Sequence, residues 1–151
     1  MSKRKLKVSA IKEGTVIDHI PANQLFKVIS ILGLDKVTNQ ITFGTNLESQ
    51  RLKQKAIIKV SGKYFEDEEI NKIALIAPAA KLNIIKDYEV VEKKVVDVPD
   101  EVIGIVKCFN PKCITNNEPV TTKFTVVSKD KIALKCHYCE KITGEEHLHI
   151  V

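Results

Sequence analysis

Four cysteines fall in two short-spaced pairs, CFNPKC at 108 to 113 and CHYC at 136 to 139, with 22 residues between the pairs. A Cys-x4-Cys and a Cys-x2-Cys, each on a tight turn, can bring four thiolates to the corners of a tetrahedron about 2.3 Å from a zinc ion. Cys108, Cys113, Cys136 and Cys139 are therefore predicted to ligate one structural zinc ion. A catalytic zinc keeps a position open for water, whereas four sulfurs close the shell. Iron accepts the same four thiolates, so metal analysis has to separate the two. Four unrelated buried thiols would explain the paired spacing poorly. Lys107, Lys112 and Lys135 directly precede three of the cysteines and Lys141 follows the fourth. Such charges lower thiol pKa values and offset the surplus negative charge of a four-thiolate site, although each lysine taken singly reads equally well as solvated surface. His137, His147 and His149 could stand in as ligands, but with four cysteines supplied they read as surface.

A second polar cluster lies in GTVIDHIPANQ, where Asp18 and His19 follow an apolar run just before a proline. On a regular strand neighbouring side chains point to opposite faces, which argues against a catalytic Asp-His dyad. No Ser or Cys nucleophile accompanies them in a recognisable motif, and no glycine-rich phosphate loop is present. Lys59, at the end of AIIK, and Lys93 and Lys94, after YEVVE, fall at strand ends and could converge on an anion. By themselves they also read as solvated lysines.

The elements that must position these groups follow from periodicity. Leu6, Val8 and Ala10 alternate, and Thr15 to Ile20 is rich in β-branched residues, so both pieces read as strand. Between Pro21 and Gly33 the residues Leu25, Val28, Ile29 and Leu32 recur at helical spacing, with Gly33 placed to end the helix. Ile41 and Phe43 alternate, and Ala56 to Val60 is a short apolar run, giving two strands joined by the polar loop TNLESQRLKQK. Asp67 is expected to cap a second helix, EEINKIALIA, that buries Ile70, Ile73, Ala74 and Ala77 before Pro78. Lys81 to Val91 reads as one closing strand. The order β-α-β-β-α-β is that of a ferredoxin-like α+β sandwich. Pro99 and its acidic neighbours mark a boundary, predicting domains at residues 1–98 and 99–151. In the second, VTTKFTVVSKDKIALKC reads as a hairpin that carries one cysteine pair to the other, so this part is expected to be a small all-β zinc domain.

Composition narrows the possible roles. The chain of 151 residues is 44% hydrophobic and 28% charged, as a globular protein is, and has no apolar run of spanning length. The basic start, MSKRKLKV, is followed by no long apolar stretch and no small-residue cleavage site, so no secretory signal is expected and the cytoplasm is the default compartment. Cysteines in a reducing compartment point to metal over disulfide. Residues 1–98 hold 17 Lys+Arg against 12 Asp+Glu, while residues 99–151 hold 7 of each. The whole net charge of +5 thus sits in the first part, and four zinc-bound thiolates would make the second net negative. That speaks against a zinc-ribbon nucleic-acid binder, the alternative reading. So do the few stacking platforms, five phenylalanines, three tyrosines and no tryptophan. A third reading, a rubredoxin-like electron carrier, would require a coloured iron protein.

Across nearly its whole length the chain resembles the regulatory chains of aspartate carbamoyltransferase, the first committed step of pyrimidine synthesis. The stretches that carry the resemblance are VSAIKEGTVIDHIPA, ITFGTNL, IIKV, ALIAPAAKLNIIKDYEVVEK, CFNPKCITNNEPV and IALKCHYCEK; IDHIPA together with the four cysteines is the most specific. The resemblance implies a non-catalytic subunit that binds CTP and ATP, with UTP as a further candidate, and modulates a catalytic chain. It implies that His19 and Lys93 meet the triphosphate with Asn83 close by, and that Asp18 and Lys59 meet the ribose. Val8, Ser9, Ala10, Ile11, Ile85, Tyr88 and Val90 would line the base. Ser9 stands where that family often has an acidic residue. The zinc domain would dock on catalytic chains through Asn110, Glu118, Tyr138 and Lys141, and the nucleotide domains would pair as a homodimer.

Overall fold

The computed structural model describes residues 10–48 and 54–150, which fall into two units, Met1–Asp97 and Val98–Val151. The predicted strand around Leu6 and Val8 lies outside the described residues.

In the first unit β1 (Gly14–Pro21) leads through a short 3-10 turn into α1 (Leu25–Ile31). Leu25, Val28 and Leu32 are buried, and Gly33 takes the left-handed φ of 69° that lets the chain leave the helix. The strands β2 (Ile41–Glu48) and β3 (Gln54–Ser61) follow, extending further into the polar loop than alternation alone implied. Then comes α2 (Asp67–Asn71), which continues as a 3-10 turn over Lys72–Leu75.

The second helix is thus shorter than expected, and its cap is Glu66, one residue before Asp67. The Glu69 carboxylate accepts a hydrogen bond from the Glu66 N–H at 3.0 Å, as in a capping box. Asp67 is left to pair with Lys94 at 3.1 Å instead. Glu69→Ala should lower stability by about 1 kcal/mol, a fall of a few degrees in a thermal melt. Ile70, Ile73, Ala74 and Ala77 are all buried as their spacing requires.

The predicted closing strand is two strands, β4 (Lys81–Lys86) and β5 (Glu89–Val95). They are joined by Asp87 and Tyr88, with φ of 54° and 67°. Two successive left-handed residues make the tight hairpin connection that matches strand twist, and it is ordinarily signalled by Asn-Gly or Asp-Gly. Tyr in the second position hid it. The Tyr88 N–H donates to the Lys12 carbonyl at 2.9 Å, which helps to hold this turn.

The sheet runs β2-β3-β1-β4-β5 and every pairing is antiparallel. Its first four members have the ferredoxin-like order, and β5 is an added edge. Ile17, Ile58 and Leu82 stand side by side and are at most 1% exposed, forming with Ile20, Val60, Val28 and Ile73 the core beneath the helices. Residues one step along each strand must then face the opposite, helix-free side.

In the second unit β6 (Glu101–Ile103), β7 (Val106–Lys107), β8 (Lys123–Ser128), β9 (Ala133–Cys136), β10 (Ile142–Gly144) and β11 (His149–Ile150) form two small sheets, ordered β10-β9-β8-β6 and β11-β7. The β8–β9 pair is the hairpin anticipated between the cysteine pairs. Phe124, Val102, Leu134 and Val106 are at most 1% exposed and make its small core.

Candidate functional site

The register of the first sheet explains how residues far apart in sequence meet. Val16 of β1 lies opposite Lys59 of β3 on one side and Asn83 of β4 on the other; Lys59 lies opposite Thr42, and Asn83 opposite Lys93. Thr42, Lys59, Val16, Asn83 and Lys93 thus form one row across all five strands, on the face that carries no helix. Asp18 and Lys81, also opposite each other, begin the next row.

His19 does not follow the alternation. The register of β1 slips between Ile17 and Ile20, and His19 has a φ of 62°. A bulge with a left-handed residue re-aims its side chain. Asp18 and His19, expected on opposite faces, therefore both line one cavity of about 410 Å³, with Lys81, Asn83, Lys93, Lys94 and Val95. The Asp18 carboxylate caps the bulge by accepting the His19 N–H at 2.7 Å and pairs with Lys55 at 2.8 Å; His19 Nδ1 lies 3.7 Å from its other oxygen. Lys59 is 8% exposed, and burial lowers its pKa while the Asp18 charge partly restores it. The lining of the cavity thus carries three lysines and a single acid, Asp18, which suits an anion of high charge.

Of the other residues the resemblance assigned to this site, Ala10 and Ile11 line a separate cavity of about 220 Å³ with Lys12, Gln40, Thr42 and Ser61. Ile85 is buried opposite the exposed Val90, and Tyr88 stands 65% exposed on the hairpin turn; none of the three lines either cavity. Val8 and Ser9 lie outside the described residues. Lys55 and Lys81 were missed. For Lys81 the signal was there, because it precedes Asn83 by two on a strand and so shares its face.

In the second unit the cysteines sit where short elements end: Cys108 just after β7, Cys113 before a 3-10 turn over Ile114–Asn116, Cys136 at the end of β9 and Cys139 before β10. Their sulfurs all lie within 4.8 Å of one another, with Cys108 to Cys139 and Cys113 to Cys136 both at 3.7 Å. A tetrahedron with sulfurs about 2.3 Å from its centre has edges of about 3.8 Å, so the donor set fits a closed zinc shell. The distances are far too long for disulfides.

The loops are braced from both sides. Cys136 N–H donates to the Lys141 carbonyl and Glu140 N–H to the Cys136 carbonyl, both at 3.0 Å, with Glu140 left-handed at a φ of 64°. Asn116 Nδ2 donates to the Cys108 and Asn110 carbonyls at 2.8 and 2.7 Å, and Asn117 Nδ2 to those of Cys113 and Pro111 at 2.8 and 3.1 Å. These two asparagines were not singled out from sequence, because their amide groups reach carbonyls four to eight residues earlier in the chain, which no local pattern marks.

Burial pushes the Cys108 thiol up to about 12 and raises that of Cys136. Burial also raises Cys139, but the Asn110 side chain, the Lys141 N–H and the neighbouring thiols outweigh it and hold it at about 7. Backbone N–H groups of Asn110, Tyr138, Cys139 and Lys141 serve these sulfurs, as a thiolate cluster requires. Bound zinc would hold the two loops together, and with four sulfurs it has no open position for a substrate.

Residues 6–97 match the family described as the aspartate carbamoyltransferase regulatory chain, allosteric domain, and residues 100–149 match the metal binding domain of the same chain. This protein belongs to the aspartate carbamoyltransferase regulatory chain family. The regulatory chain of Bacteroides fragilis is 58% identical over 150 residues, covering 99% of this chain and 98% of the relative. That of Pyrococcus horikoshii is 57% identical over 145 residues, 95% of each. A regulatory chain is a non-catalytic subunit of the enzyme complex. Of the residues assigned to docking on a catalytic chain, Glu118, Tyr138 and Lys141 are exposed, whereas Asn110 is half-buried and its backbone carbonyl accepts the Cys113 N–H at 3.0 Å. No helix among the described residues is long and apolar enough to cross a membrane.

Proposed function

We propose that residues 1–98 bind nucleoside triphosphates on the helix-free face of the sheet and that residues 99–151 dock on an aspartate carbamoyltransferase catalytic chain, whose activity in pyrimidine biosynthesis the bound nucleotide alters. The observation that carries this reading is the convergence of Asp18, His19, Asn83 and Lys93 on one cavity beside the buried Lys59. Lys93 and His19 supply charge and donors to phosphate, and Asp18 accepts from ribose hydroxyls. Zinc acts at a distance: it fixes loops that present Tyr138, Lys141, Glu118 and, beside them, the half-exposed Phe109 and Ile114. The nucleotide shifts activity only if it binds one quaternary arrangement more tightly than another. The nucleotide domains pair as a homodimer, and the complex works in the cytoplasm.

CTP and ATP, with UTP as a further effector, should compete for a single saturable site. His19→Ala and Lys93→Ala should each weaken binding by about tenfold, the loss of one charge-assisted hydrogen bond, with zinc content unchanged. Calorimetric titration of the full chain reads both results. Absence of saturable CTP and ATP binding at about millimolar concentration would refute the reading.

A further inference from the structure

Asp18 and Lys81 stand directly opposite each other in the β1–β4 ladder, a placement that commonly produces a cross-strand ion pair. Here it does not. One Asp18 oxygen receives both Lys55 Nζ at 2.8 Å and the His19 N–H at 2.7 Å. Lys94, which also borders the cavity, sends its ammonium to Asp67 at 3.1 Å. Among the described residues no carboxylate pairs with Lys81 or Lys93, yet both line the cavity whose one acid is already engaged.

The backbone positions from which these two lysines enter the cavity are offset along the strands. Lys93 is in register with Asn83, and Lys81 lies two residues before Asn83, a step of roughly 6.6 Å along β4. Cations spread in that way suit a chain of phosphates better than a single one. We propose that Lys81 is a phosphate-binding residue and that, with Lys93, it makes the site discriminate among nucleotides by the number of their phosphates. This inference rests on the nucleotide reading of the cavity and adds to it a residue and a basis for selectivity.

The test is calorimetric titration of the full chain, as wild type, Lys81→Gln and Lys81→Arg, with ATP, ADP and AMP. Wild type should bind them in descending order of affinity. Lys81→Gln should weaken ATP by about tenfold and AMP by less than about twofold, and should make ATP binding less sensitive to salt. Lys81→Arg should restore most of the preference, because it keeps the charge. Wild-type binding with an unchanged ATP to AMP ratio in Lys81→Gln would overturn the role of Lys81 and leave the nucleotide site standing. A wild type that binds none of the three would overturn the nucleotide reading and, with it, this one.

Discussion

Removing the zinc, with a strong chelator or by Cys136→Ser, should unfold residues from about 100 onward and abolish association with a catalytic chain, while residues of the first unit keep their structure. The expected size follows from scale. The second unit, Val98–Val151, has a small core, and units of this length rarely hold more than about 3–5 kcal/mol of their own stability. A structural zinc contributes on the order of 10 kcal/mol to such a fold. Without metal the thiols of Cys108 and Cys136 must be enclosed as neutral groups at distances set for thiolates, since burial raises both and pushes Cys108 up to about 12. Coordination demands deprotonated sulfur, so zinc binding releases protons and the metal is lost as pH falls. Amide hydrogen exchange, read segment by segment, checks the prediction. Retained protection in β8 and β9, or retained assembly, after complete zinc loss would count against the metal as the staple of this unit.

Phe124→Ala should have the next largest effect, a loss of about 3–5 kcal/mol for truncating a fully buried phenylalanine. Phe124 is 0% exposed and lies between Cys136 on β9 and Val102 on β6 in the β8 register. The same side chain therefore supports the strand that delivers one zinc ligand and the edge strand β6. The cavity left behind should lower the unfolding temperature of the second unit and speed zinc transfer to a competing chelator. CTP affinity of the first unit should not change. Zinc transfer at the wild-type rate would show that the metal loops hold their shape independently of the core.

The legible parts of the fold were those written in local periodicity. The buried stripes of α1 and of the segment from Ile70 to Ala77, the β8–β9 hairpin and the four-cysteine cluster all follow from spacings of a few residues. What escaped depended on backbone conformations that residue type signals weakly. Asp87 and Tyr88 turn the chain without a glycine, which hid the split of β4 from β5. His19 adopts a left-handed conformation without being Gly or Asn, which hid the bulge. The cap moved from Asp67 to Glu66 because the Glu69 side chain closes back on the earlier residue.

The sequence by itself determined the metal centre, since two short-spaced pairs of cysteines need only a hairpin between them to meet. It also carried the family and the charge asymmetry between the two parts of the chain. The cationic cavity was decided by tertiary structure alone. Asp18, Lys55, Lys81 and Lys93 come from four strands whose register, and the place of β5 at the edge, no local pattern specifies. Which lysine neutralises Asp18, and which two remain for a ligand, depends on ångström-scale reach across that sheet: Lys55 takes the carboxylate, Lys94 turns to Asp67, and Lys81 and Lys93 face the cavity.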